Sequence, residues 1–290
     1  MSKEKTGAVL GQTSTKLLLI ATIIILVAML VWHLGTKQLN GMLIDLELSE
    51  PDPFRYATLT SAFTEKLPTE VPALRDVTIS LNYEHFTRLS CETINPEKVD
   101  FLVLSPQATP WHLYSKRKSA EFENAKRLLV SAILDTGMPV LGICGGHQML
   151  ALAFGGSVGF IDKNLDSQLP DTYPKEGIAE KGIVVLDTLY PDPVFRGIVE
   201  HPGRFLVSQS HFEEVKSVPT PLVNLARSSL SEIQILRLPG RPVYGVAFHP
   251  ERGWGSSPNP GMIPTGGKQI LVNFLGMVLL EKNQRRNKSS

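Results

Sequence analysis

The chain predicts an α/β fold with a mainly parallel central sheet flanked by helices, preceded by one membrane-spanning helix. Three observations predict it. Short, almost wholly apolar runs at 99–104 (VDFLVL) and 140–143 (VLGI) have the character of strands buried on both faces of a parallel sheet. They alternate with stretches of helical periodicity at 120–135 and 146–154, the order of βαβ units. The run 17–34, LLLIATIIILVAMLVWHL, carries no charge. At ~1.5 Å per residue it spans about 27 Å, close to the hydrocarbon thickness of a bilayer.

The elements follow in order. Lys3, Lys5 and Lys16 lie in a tail (1–16) before the apolar run, and only Lys37 closely follows it. The positive-inside rule then gives a single-pass membrane protein with a cytoplasmic N-terminus and the large domain outside. A cleaved signal peptide fits less well, because the run exceeds the usual ~7–15 residue core and no small-x-small site follows. No polar face interrupts the run, as one would in a helix half-buried on a globular core. After a junction at 35–40 the domain is expected over 41–281.

Residues 42–46 read as a first strand, Pro51 and Pro53 open a helical segment at 56–66, and the β-branched run 77–81 reads as a second strand. In the helix at 120–135 the apolar positions are Phe122, Ala125, Leu128, Leu129 and Ile133, and Gly137-Met138-Pro139 stops it. Gly155-Gly156 end the helix at 146–154. Beyond Gly182 come short strands at 183–186, 204–207, 233–236 and 243–248, then a Pro- and Gly-rich loop at 252–267 and a closing helix at 268–280. The basic stretch within 282–290 reads as a solvated tail.

Charged residues make up 20% of the 290 and the net charge is +1, so nothing points to nucleic acid or to acidic substrates. The two cysteines, Cys91 and Cys144, form no disulfide framework. Metal-ligand spacing and a P-loop are both absent, and no cofactor is called for.

The chemistry concentrates at Cys144. It lies where a buried strand gives way to a helix, with glycines at 142, 145 and 146 that allow a tight backbone and an outward thiol. The N–H groups and dipole of a helix N-terminus favour a thiolate and can hold an oxyanion. A cysteine nucleophile needs a base, and the base needs an orienting group. His249 and Glu251, two apart at the end of an expected strand, put both side chains on one face. Taken alone, a cysteine among glycines and a His-Pro-Glu turn have ordinary structural readings.

Together they do not. GICGGHQMLALAFGG (142–156) closely resembles the Gly-x-Cys-x-Gly-x-Gln nucleophile motif of class I glutamine amidotransferases, and YGVAFHPE (244–251) resembles their His-Pro-Glu signature. The chain resembles a GMP-synthase-like stand-alone amidotransferase domain, and the resemblance implies a flavodoxin-like fold and a Cys144–His249–Glu251 triad. By the same resemblance Gln148, Ser210 and His211 contact the substrate, and the amides of Gln107 and Gly145 form the oxyanion hole. The family loop after the third strand is glycine-rich, whereas here it reads Ser105-Pro106-Gln107-Ala108-Thr109-Pro110. Pro106 has no N–H to give, and a non-glycine at 107 tolerates positive φ poorly. Ala247 also stands where the family commonly has glutamine.

The function implied is hydrolysis of the glutamine side-chain amide, releasing glutamate and ammonia. No synthetase domain fits the chain, so the ammonia implies a partner, a synthetase or another acceptor subunit, or is simply released. Two alternatives are a γ-glutamyl peptide or conjugate hydrolase, which needs no acceptor, and a membrane-bound regulatory module that kept the fold with weak or no activity.

Overall fold

Apolar side chains two apart along a strand share a face, and those on adjacent positions oppose each other. That alternation builds the centre of the molecule. The computed structural model describes residues 37–199, 202–254 and 264–289. In it β1 (Lys37–Asp45), β2 (Val77–His85), β3 (Phe101–Leu104), β4 (Val140–Ile143), β9 (Val223–Asn224), β11 (Ile235–Leu238) and β12 (Val243–Val246) form a seven-stranded sheet. Its order is β2-β1-β3-β4-β12-β11-β9. The pairs β1–β3, β3–β4 and β4–β12 are parallel, while β12–β11 and β11–β9 are antiparallel.

Phe101, Val103, Leu141, Ile143, Tyr244 and Val246 fill one face of this sheet. Leu102, Leu104, Val140 and Val243 fill the other. On the first face pack α1 (Ala57–Ser61), a π-helical turn (Ala62–Lys66) and α2 (Leu67–Glu70), together with α7 (Thr265–Ser289). On the second pack α4 (Ser119–Leu134), which follows the short α3 (His112–Arg117), and α5 (Gly145–Ala153). All five apolar positions expected to face the core from α4 are buried.

The antiparallel part lies beside this sandwich. β10 (Ala226–Arg227), β6 (Glu180–Thr188) and β7 (Arg204–His211) make a three-stranded sheet, and β5 (Ser157–Phe160) pairs with β8 (Glu213–Ser217). α6 (Lys163–Gln168) leads from β5 toward the segment that crosses the site.

The fold expectation needs one correction. It included a membrane-spanning helix, and among the described residues no helix is long and apolar enough to cross a membrane. The single-pass placement, with the domain outside and residues 17–34 in the bilayer, is withdrawn with it. That placement rested on segment 17–34 and the lysines on either side of it, and residues 1–36 lie outside the described residues.

Smaller differences have plain causes. The strand expected at 233–236 runs instead over Ile235–Leu238, and the backbone of the buried Gln234 before it bonds to Ala226 and Ala247. The basic stretch is helical, not a free tail. In α7, Lys282 Nζ donates to the Gln38 carbonyl (2.8 Å) and to Asp100 Oδ2 (2.7 Å), and cations suit a helix C-terminus. Most of the loop expected at 252–267 lies outside the described residues.

Candidate active site

Cys144 joins β4 to α5 with φ 52° and ψ −101°, one of two non-glycine residues at positive φ among those described. A side chain rarely adopts this conformation, and it persists only where the surroundings hold it. Here they do. Cys144 N–H donates to the Val246 carbonyl (2.8 Å), and its carbonyl accepts from His147 N–H (3.1 Å) and Gln148 N–H (3.3 Å). The flanking glycines are required by contact: a Cβ on Gly142 would overlap the Gly146 carbonyl, and one on Gly146 would overlap that of Leu104.

His249 follows β12 and is buried, with its Nδ1 2.7 Å from Glu251 Oε1. The pairing is reached differently from the expected extended strand. Glu251 sits in a 3-10 turn, Pro250–Arg252, that begins at His249 and folds the carboxylate back onto the ring. Burial alone would lower the pKa of His249, but the charge of Cys144, a hydrogen bond to it and the Glu251 carboxylate together raise it to about 10. These neighbours favour the charged form of a ring that Glu251 orients through Nδ1. The Cys144 Sγ stands 3.9 Å from the Ser210 carbonyl at the end of β7.

These groups open onto a cavity of ≈ 460 Å³. Every residue singled out by sequence except Gly145 lines it. Gly145 lies under Gln107, whose backbone nitrogen is 2.9 Å from where a Gly145 Cβ would stand. Gln107 is not among the described residues at positive φ, so the loop reaches this position without the conformation that glycine would be needed for. The other predicted contacts turn part of their polarity inward. Gln148 accepts from Trp111 Nε1 (2.6 Å) and donates to the Glu213 carbonyl (2.5 Å). His211 meets the Glu213 carbonyl at Nδ1 (2.9 Å) and Glu180 Oε2 at Nε2 (3.0 Å). Glu180 is buried, which opposes its charge, yet bonds from His211, Ser228 and Gln234 hold its pKa below the ordinary value. Among the described residues, no group of three or more His, Cys, Asp or Glu side chains is arranged to hold a metal.

Sequence reasoning missed three residues here. Glu213 lines the cavity and accepts from Tyr173 OH (2.6 Å), and burial pushes its pKa up to about 7. Tyr173 comes from the segment after α6, stacks on Phe212 at 5.2 Å and accepts from Gln107 Nε2 (3.1 Å). Glu47, just past β1, accepts from Ala108 N–H at 2.6 Å. Glu213 follows the Ser210-His211 pair closely enough to have been noticed. Nothing periodic marks Tyr173 or Glu47, because their roles depend on segments far away in sequence.

The chain is similar to known proteins of one family. The family model described as glutamine amidotransferase class-I matches residues 73–259. A subunit of the glutamine-hydrolyzing GMP synthase of Methanosarcina mazei is 30% identical over 67% of this chain and 91% of its own length. That of Methanosarcina barkeri is 34% identical over 49% of this chain and 61% of its own length. The corresponding protein of Pyrococcus abyssi is 38% identical over 39% of this chain and 51% of its own, so the chain spans only about half of some relatives it matches. Among solved structures, a glutamine amidotransferase of Thermotoga maritima superposes with TM-score 0.54 at 19% identity, covering 83% of this chain and 98% of its own. A Thermoplasma acidophilum chain assigned to a GMP synthase gives 0.58 at 20%, covering 86% and 98%.

Proposed function

The chain belongs to the class-I glutamine amidotransferase family, and on that footing we propose that it hydrolyses the glutamine side-chain amide through a thioester on Cys144 and passes the ammonia to a separate synthetase subunit. The observation that carries the reading is geometric: Glu251 holds the His249 ring at 2.7 Å, and Cys144, His249 and Glu251 line the same cavity.

Each residue has a task. The Cys144 thiolate forms a bond to the amide carbon, and the carbonyl π pair moves onto the oxygen. That oxyanion would be met by the N–H groups of Gly145 and Gln107, which flank the elbow. His249 gives its proton to the amide nitrogen, which leaves as ammonia when the tetrahedral centre collapses to the γ-glutamyl thioester. Water, deprotonated by His249, then attacks the thioester and releases glutamate, restoring the thiolate. Glu251 keeps the ring oriented through both halves.

A separate acceptor is supported by the relatives, whose names make each of them one subunit of a GMP synthase. GMP synthesis is thus the acceptor reaction this reading favours. The test is release of ammonia and glutamate from glutamine by the full chain beside Cys144→Ala. Release that disappears in the variant is expected. Equal release from both proteins would overturn the assignment, since Cys144 is the only thiol lining the cavity among the described residues.

A further inference from the structure

Loss of glycine from the loop after β3 raises a physical question: what holds the Gln107 amide where an oxyanion would form? A loop of Ser105, Pro106, Gln107, Ala108, Thr109 and Pro110 carries no glycine, and Pro106 supplies no N–H. Its position must therefore come from outside the loop.

Two sets of bonds supply it. Ser105 N–H donates to the Ile44 carbonyl (3.0 Å), and Ser105 Oγ accepts from Leu46 N–H (2.9 Å), which ties the loop's start to the end of β1. The stronger tie is a buried carboxylate. Glu47 is 6% exposed, and it accepts from Ala108 N–H (2.6 Å) through Oε2 and from the Thr109 hydroxyl through Oε1. Both partners lie about sixty positions away in sequence and immediately follow Gln107.

Glu47 is itself immobilised. Its own N–H donates to Asp45 Oδ1 (2.8 Å), and its carbonyl meets His85 Nε2 (2.9 Å). Asp45 in turn accepts from Arg55 (3.0 Å), Tyr56 (2.7 Å) and Tyr83 (2.6 Å). On the opposite side, Tyr173 receives the Gln107 side-chain amide. Gln107 thus sits between Ser105 and Ala108, both tied to the end of β1 and the residues just after it, while Tyr173 holds its side chain.

We infer that Glu47 is a positioning residue for the Gln107 amide, its carboxylate fixing Ala108 and Thr109 so that the preceding N–H stays aimed beside Cys144. The inference rests on the reading of the chain as a glutamine hydrolase. It makes a specific kinetic demand: an oxyanion exists only after attack, so loosening its donor slows turnover without weakening substrate binding.

The test uses the full chain as wild type, Glu47→Ala, Glu47→Gln and Thr109→Val. Each is assayed for kcat and KM with glutamine and for the rate at which iodoacetamide alkylates Cys144. Alkylation displaces iodide and forms no oxyanion, so it reports the nucleophile alone. Glu47→Ala is expected to lower kcat about 10- to 100-fold, short of the ~10²–10³ for removing a donor outright. KM should stay within about threefold and alkylation near the wild-type rate. Glu47→Gln keeps one acceptor and should recover part of the loss. Thr109→Val should show a smaller fall of the same kind. An unchanged kcat in Glu47→Ala, or KM and alkylation shifting together with kcat, overturns the inference. Should Glu47→Ala fail to fold, wild-type kcat in both Glu47→Gln and Thr109→Val overturns it equally. A wild type that alkylates yet releases no ammonia overturns the glutaminase reading, and the inference falls with it.

Discussion

Glu213 and His249 are both buried beside the same cavity, and burial opposes the charged form of each. The outcomes differ because their neighbours differ. For His249 the Cys144 and Glu251 side chains outweigh the cost, and its pKa rises to about 10. Glu213 receives only the Tyr173 hydroxyl and the Trp111 N–H, which do not outweigh burial, and its pKa rises to about 7. A carboxyl whose folded pKa lies above its unfolded value binds more protons when folded, so its contribution to stability falls as pH rises between about 4.5 and about 7. Glu213→Gln removes that dependence. The variant's stability relative to wild type is expected to increase across this window and then level off, by on the order of 3 kcal/mol in all. Urea midpoints of both proteins at pH 5 and pH 8 check it; a constant difference between them would show that Glu213 does not titrate there.

Among the elements, the turn from β4 into α5 was the most legible in the sequence. A strand of four buried residues, a cysteine and three glycines leave few other ways to build it, and contact explains each glycine. Gly146→Ala would drive a Cβ into the Leu104 carbonyl, a backbone atom of β3 that cannot move aside. It is expected to destabilise by about 1–3 kcal/mol and to abolish glutamine hydrolysis, because the elbow itself must shift. Gly276, inside α7 with nothing within 4 Å of its Cβ position, should behave oppositely. Gly276→Ala is expected to stabilise by about 0.5–1 kcal/mol by lowering the entropy of the unfolded chain. Chemical denaturation of the pair tests both signs. By contrast, β6 and β7 were seen only in part. Their exposed Ile183 and Val185, and the polar residues that alternate through β7, break the apolar pattern that marks a central strand.

At the scale of the molecule, legibility tracked burial on both sides. β3, β4 and β12 lie between two helical layers and read directly as apolar runs. What joins distant segments did not read at all: Glu47 reaching the loop after β3, or Lys282 reaching Asp100, depends on topology no local pattern encodes. The same layering separates stability from chemistry. α7 covers the sheet face that includes Phe101, and Phe274 is fully buried there, its ring 6.0 Å from Phe101 in an edge-on contact. Neither ring lines the cavity. Phe274→Ala leaves a void between helix and sheet and is expected to cost about 3–5 kcal/mol. Since Cys144, His249 and Glu251 are held by bonds from β7, β12 and the 3-10 turn rather than by that ring, the molecules that remain folded should keep their kcat. Stability from a urea transition, set beside kcat per folded molecule, decides the matter. A kcat that falls with stability would mean that the helical layer also sets the geometry of the elbow, and the two could no longer be treated as independent.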